Sequence, residues 1–315
     1  MILETIRNMR TSGILGMNNR NAEYIMAFNH RSFFPLVDNK VLTKKLAMEH
    51  GIPTPTLYHV VQHHGGIPEL KKLLKDHLEF VAKPARGSGG SGIVLIINHT
   101  EETYVTQSGK GITWEDFSYH ISDILSGIYS LEGLEDDAII ESLIHPAPVF
   151  ADVTYQGVPD IRIVVYRGIP VMSMVRLPTK ASDGKANLHR GAIGAGINFK
   201  NGITLTAVHH SDLITHHPDT GNPVNGIQIP YWKKMLLIAA KAADMTGLGY
   251  VGVDLVIDRD RGPVLLELNA RPGLAIQLAN SSGLLKRLNT VEAAPLNVFE
   301  TPETRVTWAM ETFGV

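Results

Sequence analysis

The chain has 315 residues, 44% of them hydrophobic and 19% charged, enough to bury the core of one large domain or of two to three packed ones. A net charge of −2 and an isoelectric point near 6.7 supply no basic excess for nucleic acid or an anionic membrane surface. The absence of cysteine excludes thiol nucleophiles, disulfides and cysteine metal sites.

The N-terminus is charged throughout and lacks the apolar core of a signal peptide. No apolar run approaches the roughly 20 residues of a membrane helix, so a cytoplasmic protein without membrane insertion is expected. Residues 1–37 mix Arg and Asn with Tyr24, Phe28, Phe33 and Phe34 and read as a short N-terminal helical segment. Asp38 can cap a helix over 38–49, with Val41, Leu42 and Leu46 as its apolar face and Gly51 and Pro53 ending it. A second helix is expected over 68–78, then a strand at 79–83, a glycine-rich loop to Gly92 and a strand at 93–97. A helix over 114–131 and a strand over 138–144 follow, and then a hairpin of 161–166 with 169–175 that turns at Arg167-Gly168. A polar loop runs over 179–196. Trp232, Met235, Leu236, Ala239 and Ala243 form a helical stripe between Pro230 and Gly247. The last hairpin pairs 251–258 with 263–269, and from Leu284 onward no chemistry is legible.

That last hairpin is acidic on one side. A four-residue loop, 259–262, pairs Asp258 with Pro263 and sets Asp254 opposite Glu267, with Asn269 on the same face. Val253, Leu255, Ile257, Val264, Leu266 and Leu268 then line the core face. Opposed like charges cost about 0.2–1 kcal/mol, which implies a compensating cation, and oxygen ligands of this kind suit magnesium held with phosphates. The alternative is a solvated hairpin whose acids pair with lysines elsewhere.

Gly87, Ser88, Gly89, Gly90, Ser91 and Gly92 satisfy G-x-G-x-x-G, a weak signal alone. A dinucleotide loop must open a helix, whereas a β-branched run follows here, and a Walker A lysine is absent. What survives is a flap between strands whose backbone N–H groups can close over phosphate, or a plain hairpin tip. Protein kinases use a similar flap, but there the lysine follows the glycines, while Lys83 precedes them. The pairs His63-His64, His209-His210 and His216-His217 are poor chelates, because strand neighbours point to opposite faces.

Taken in order, Asp38-Asn39-Lys40, Lys83-Pro84, Ile140 to Leu143, Asp160-Ile161-Arg162, Asn187 to Gly191, Asp254 and Glu267-Leu268-Asn269 resemble the ATP-grasp superfamily over 38–277. Asn187 to Gly191 and Glu267 to Gly273 are most similar to its alpha-L-glutamate ligase-like group. The resemblance implies an α/β (α+β) fold in which two subdomains clasp ATP, with boundaries at 1–37, 38–142 and 143–315. It places Lys40, Lys83 and the flap on the ATP phosphates, and Glu141, Ser142 and Leu143 at the adenine edge. Arg162 would meet the γ-phosphate, Asn187 the metal and phosphates, and Asp254, Glu267 and Asn269 one or two Mg2+ ions, with Mn2+ as an alternative. Arg190 and Arg271 are candidates for gripping a substrate carboxylate through the guanidinium fork, and His189 for carrying a proton.

The implied activity is a carboxylate–amine ligase acting through an acyl phosphate on small-molecule or peptide substrates. A phosphotransferase and a non-catalytic nucleotide-binding regulator are the alternatives. Only about 37 residues precede the first lysine motif, so the substrate site is expected either to be open or to be completed by a homodimer or a partner protein.

Overall fold

A computed structural model describes residues 11–87, 89–130 and 133–314. The chain divides into a smaller unit, Asp38–Lys45 with Thr54–Ile144, and a larger one, Met1–Val37 with Leu46–Pro53 and His145–Val315.

The smaller unit is built on a six-stranded antiparallel sheet, β1 (Leu57–Val61), β2 (Phe80–Pro84), β3 (Val94–His99), β4 (Thr103–Thr106), β5 (Gly111–Thr113) and β6 (Ala138–Glu141), in the order β1-β6-β2-β3-β4-β5. The expected strand–flap–strand unit is β2 and β3, paired Phe80 to Ile96. One face carries the core: Phe80, Ala82, Ala138 and Ile140 pack with Phe117, Ile121, Ile124 and Leu125, which fall at helical spacing on Trp114–Leu125. Thr113 and Asp116 cap that helix reciprocally. It is shorter than the expected 114–131, because the chain turns at Gly127; Leu131 lies outside the described residues. Alternation sends Lys83, Ile139 and Glu141 to the other face, where Ile139 packs with Val41 and Ala85.

Several boundaries move. The Lys40–Glu49 helix is capped by Asn39, whose Oδ1 accepts from the Val41 and Leu42 amides at 2.9 and 3.2 Å, and not by Asp38. The second helix is Ile67–Leu73 with a 3-10 turn to Asp76. Strand β6 stops at Glu141: the Ser142 amide still donates to the Thr56 carbonyl beside β1, but the Thr56 amide donates to the Ser142 hydroxyl and not to its carbonyl.

The larger unit has a seven-stranded antiparallel sheet of β7 (Asp160–Tyr166), β8 (Ile169–Leu177), β9 (Ile193–Ile197), β10 (Thr204–His209), β11 (Asp212–Ile214), β12 (Tyr250–Asp258) and β13 (Gly262–Asn269). Its order is β11-β10-β9-β8-β7-β12-β13. The β7–β8 turn has Arg167 and Gly168 at φ 49° and 75°, the two positive values that a two-residue turn matching strand twist requires. The stripe residues Trp232, Met235, Leu236, Ala239 and Ala243 are buried on Trp232–Thr246 and join Val251, Val253, Leu255 and Ile257 in the core. Near the N-terminus, Tyr24 and Phe28 meet Tyr166 edge-on at 5.3 and 5.2 Å. Asn29 exchanges bonds of 2.7 and 2.9 Å with the Tyr250 backbone, fixing this segment to β12. Among the described residues no helix is long and apolar enough to cross a membrane.

The acidic hairpin reaches the expected opposition by a different path. Its loop has three residues, Arg259 to Arg261, with Asp258 paired to Gly262, and Gly262 at φ 75° closes it. A bulge then inserts one extra residue on β13 opposite the Asp254–Leu255 step, and Asp254 again meets Glu267. The bulge changes which leucine is inside. Leu265 joins the core in place of the expected Val264 and Leu266; Leu266 is half-buried and Val264 is buried outside that cluster.

Candidate functional site

In the smaller unit the basic residues gather on the face of β2 and β6 opposite the main core. Lys83 Nζ donates to Glu141 Oε1, and Lys44 Nζ lies 2.7 Å from Glu141 Oε2. All three are buried. Burial would push the Glu141 carboxyl up, but Lys83 and Lys44 outweigh it and hold it below the usual carboxylate range. Lys44 was absent from the motif set. It sits one turn after Lys40, so 3.6-residue periodicity was the signal that could have found it.

The flap is tied at both ends. Gly87 bridges to Ser130, and its carbonyl accepts from Lys40 Nζ at 2.6 Å. Asp136 accepts from the Arg86 amide at 2.9 Å and from Ser130 Oγ at 2.8 Å, anchoring the incoming root. At the outgoing root His120 Nε2 lies 3.0 Å from the Gly92 carbonyl, and burial holds the His120 pKa down, which favours the neutral ring. Gly89 and Gly90, at φ 62° and 75°, form the turn between, while Ser88 lies outside the described residues. The adenine-edge assignment meets a competing bond. The Ser142 amide is 2.9 Å from the Thr56 carbonyl, so it is not open to a nucleotide in this conformation. Leu143, half-buried, follows it.

In the larger unit the charged row crosses the sheet from Glu267 on β13 to Asp254 on β12 and Arg162 on β7. Arg162 forks onto Asp254 with bonds of 2.7 and 2.5 Å, and Arg176 Nη2 reaches the same carboxylate at 2.7 Å. Arg176 also forks onto Asp160, at 2.5 and 2.6 Å. Two carboxylates thus alternate with two guanidiniums. Asp254 is fully buried; burial pushes its carboxyl up, but Arg162 and Arg176 hold it well below the usual range. Asp160 goes the other way, raised by burial and by Asp254, against the pull of Arg176. Straight counting from the Arg167-Gly168 turn pairs Asp160 with Val175. A bulge in β8 beside Val164–Val165 pairs it with Arg176 instead, which is why Arg176 escaped the sequence reading.

Asn269 Nδ2 donates to Asp254 at 3.1 Å. Asp254 therefore accepts four bonds, and a cation could take it as a ligand only as arginine contacts give way. Glu267 is half-buried and forms no salt bridge among the described residues, so its carboxylate and the Asn269 amide oxygen fit a magnesium ion with less rearrangement. No cluster of three His, Asp or Glu residues suited to a metal occurs among the described residues.

The profile of the family described as Sugar-transfer associated ATP-grasp matches residues 19–293. The chain belongs to this ATP-grasp family. A probable alpha-L-glutamate ligase of Pectobacterium carotovorum is 30% identical over 115 residues, 36% of this chain and 27% of that protein. Among solved structures, the ATP-grasp ligase PsnB with its minimal precursor aligns at 12% identity and a TM-score of 0.46, over 84% of this chain and 63% of that one. A RimK domain ATP-grasp protein from Sphaerobacter thermophilus aligns at 13% and 0.46, over 84% and 70%. The chain thus spans about a quarter of the curated relative and under two thirds of PsnB.

The remaining ATP-grasp candidates are scattered in role. Asn187 caps a 3-10 turn, accepting from the His189 amide at 2.9 Å, and that turn holds His189 and Arg190 exposed. Arg271 is exposed and sets its guanidinium over the Phe34 ring at 5.2 Å. Buried Arg20, which the sequence did not single out, supports this corner by donating to the Pro272 carbonyl at 2.8 Å.

Proposed function

We propose that this ATP-grasp chain is an ATP- and magnesium-dependent carboxylate–amine ligase. The observation that carries the reading is a pair of charge excesses of opposite sign. Lys44 and Lys83 against Glu141 sum to +1 (+2 − 1), which suits phosphate. Asp160, Asp254 and Glu267 against Arg162 and Arg176 sum to −1 (−3 + 2) with Asp160, whose carboxyl is raised to about 7, in its ionised form, which suits a cation.

On this reading Lys40, Lys83 and the flap backbone from Gly87 to Gly92 bind the phosphates, and only the backbone of Glu141 to Leu143 lines the adenine, the Glu141 side chain facing Lys44 and Lys83. The Ser142 amide exchanges its Thr56 bond in doing so. Glu267 and Asn269 would hold magnesium, Asp254 would become available to it once Arg162 turned away, and Arg162 would face the γ-phosphate. Magnesium supplies charge neutralisation at the phosphate oxygens. A substrate carboxylate oxygen attacks the γ-phosphorus, the bond to the β-phosphate oxygen breaks, and ADP leaves. Arg162 offsets the repulsion between the two anions as they approach. The amine nitrogen then attacks the acyl carbon, inorganic phosphate departs with the C–O bond electrons, and His189 takes the amine proton. Arg190 and Arg271 orient the substrate carboxylate, and Asn187 holds the turn of His189 and Arg190 in shape. The absence of cysteine is compatible with this route, because no protein nucleophile is required.

The substrate class is an amino acid, glutamate first, joined to a peptide or small-molecule amine. The test is mass spectrometry of products from pooled amino acids and peptides with ATP and magnesium, alongside ADP and phosphate release. Release that depends on both a carboxylate and an amine supports the ligase. A stable phosphorylated product would make the chain a phosphotransferase, and tight ATP binding without turnover a nucleotide-binding regulator.

A further inference from the structure

Lys44 lies in none of the motifs that define the proposed site, yet its placement is specific. Its Nζ lies 2.7 Å from Glu141 Oε2 and 2.5 Å from the Pro55 carbonyl oxygen. The residue is 5% exposed, as is Lys83. Glu141 is thus held from two sides, Oε1 by Lys83 and Oε2 by Lys44.

The two lysines differ in what else they do. Lys83 is the penultimate residue of β2, four positions before Gly87, where the flap begins and nucleotide phosphates would arrive. Lys44 stays fixed on the Lys40–Glu49 helix, its ammonium shared with the Pro55 carbonyl. If Lys83 turned to a phosphate in a chain without Lys44, it would strand a buried carboxylate with no cation. Lys83 would then remain locked on Glu141. With Lys44 present, Glu141 keeps a counter-ion whichever way Lys83 points.

We infer that Lys44 is a positioning residue that keeps Glu141 paired so that Lys83 can be released to a phosphate of the nucleotide. This rests on the ATP-binding reading above. The charge sum makes it quantitative in sign: +1 in the wild type, 0 in Lys44→Met, and +1 again in Lys44→Met with Glu141→Gln. Affinity for a phosphate should follow that sum and not the number of intact contacts.

The experiment is calorimetric titration of the full chain with magnesium and adenylyl imidodiphosphate, a non-hydrolysable ATP analogue, with circular dichroism on each variant. Lys44→Met is expected to bind about tenfold or more weakly, and the double variant to return to within about threefold of wild type. A role for Lys44 in packing alone predicts a double variant as weak as the single, and that result overturns the inference. So does a folded Lys44→Met with wild-type affinity. If Lys44→Met does not fold, the double variant decides alone: near-wild-type affinity supports the inference and lost affinity overturns it. A wild-type chain that binds no nucleotide refutes the ATP reading itself, and this inference with it.

Discussion

Replacing Arg176 with methionine tests the alternating charge chain at the link with two neighbours. The change removes bonds of 2.5 and 2.6 Å to Asp160 and one of 2.7 Å to Asp254. Asp254 keeps the Arg162 fork, so most of the cost falls on Asp160, which is 5% exposed. Removing one partner of a buried ion pair costs about 3–5 kcal/mol, and proton uptake by Asp160 brings the expectation to about 3 kcal/mol near neutral pH. At roughly 2–4 °C per kcal/mol, the melting midpoint falls by about 6–12 °C.

The pH dependence has a definite sign. The Asp160 carboxyl is raised in the folded state, and loss of Arg176 raises it further. A raised carboxyl contributes stability below its unfolded value of about 3.9 and loses it as pH rises through the folded value, so the deficit widens from about pH 5.5 to about pH 8. Scanning calorimetry at both pH values measures it. Adding Asp160→Leu should recover most of the loss, since an apolar pair replaces the buried ions. A loss below about 1 kcal/mol, or a double variant no better than the single, refutes the reasoning.

Glu267→Gln is expected to lower ADP formation by about 100-fold or more and to weaken Mn2+ binding followed by electron paramagnetic resonance; unchanged Mn2+ affinity removes Glu267 from the metal set. Asp258→Asn should cost about 1.5–3 kcal/mol at neutral pH, because the Arg261 guanidinium and three backbone amides outweigh burial and hold this carboxyl below its usual range. A depressed carboxyl stabilises above its unfolded value and loses that contribution as pH falls through the folded one. The gap between wild type and variant in urea melts should therefore shrink below about pH 4, and a gap independent of pH contradicts the assignment. Hydrogen exchange of the 83–97 peptide should slow with magnesium and ATP, most around Gly89 to Ser91, since the Gly87 and Gly92 roots are already tied. Equal exchange at saturating nucleotide means that the flap does not cover phosphates.

The features legible in the sequence were those in which one local signal decided. The helical stripe from Trp232, the Arg167-Gly168 turn and the β2–flap–β3 unit all stand as read. What escaped depended on tertiary context. Strands β1, β4, β5, β10 and β11 are short or partly exposed, and β9, though buried, begins inside the expected 179–196 loop because its glycines and alanine hide the strand pattern; all exist because neighbours pair with them rather than because their own pattern is strong. At the site, Asp254 and Glu267 were found because cross-strand opposition follows from counting residues. Arg176 was missed because a bulge breaks that count, and Lys44 because its partner Glu141 is 97 residues away in sequence. The Ser142–Thr56 bond was invisible for the same reason.

The β13 bulge has a consequence for how such a hairpin tolerates change in length. The turn alone fixes pairing as far as Leu255 with Leu265, and one residue of β13 is then passed over before Asp254 meets Glu267. Excising Leu266 would straighten the ladder without parting the two acids, and moving the spare residue into the loop would do the same. A chain with a longer loop and a regular strand can thus present the same opposition as this one. What would differ is the bend the bulge imparts, and with it the angle at which Glu267 and Asn269 project from the strand. Loop length and the aim of the oxygens are therefore separately adjustable, so a relative that differs at the tip can keep the pair while pointing it at a different place.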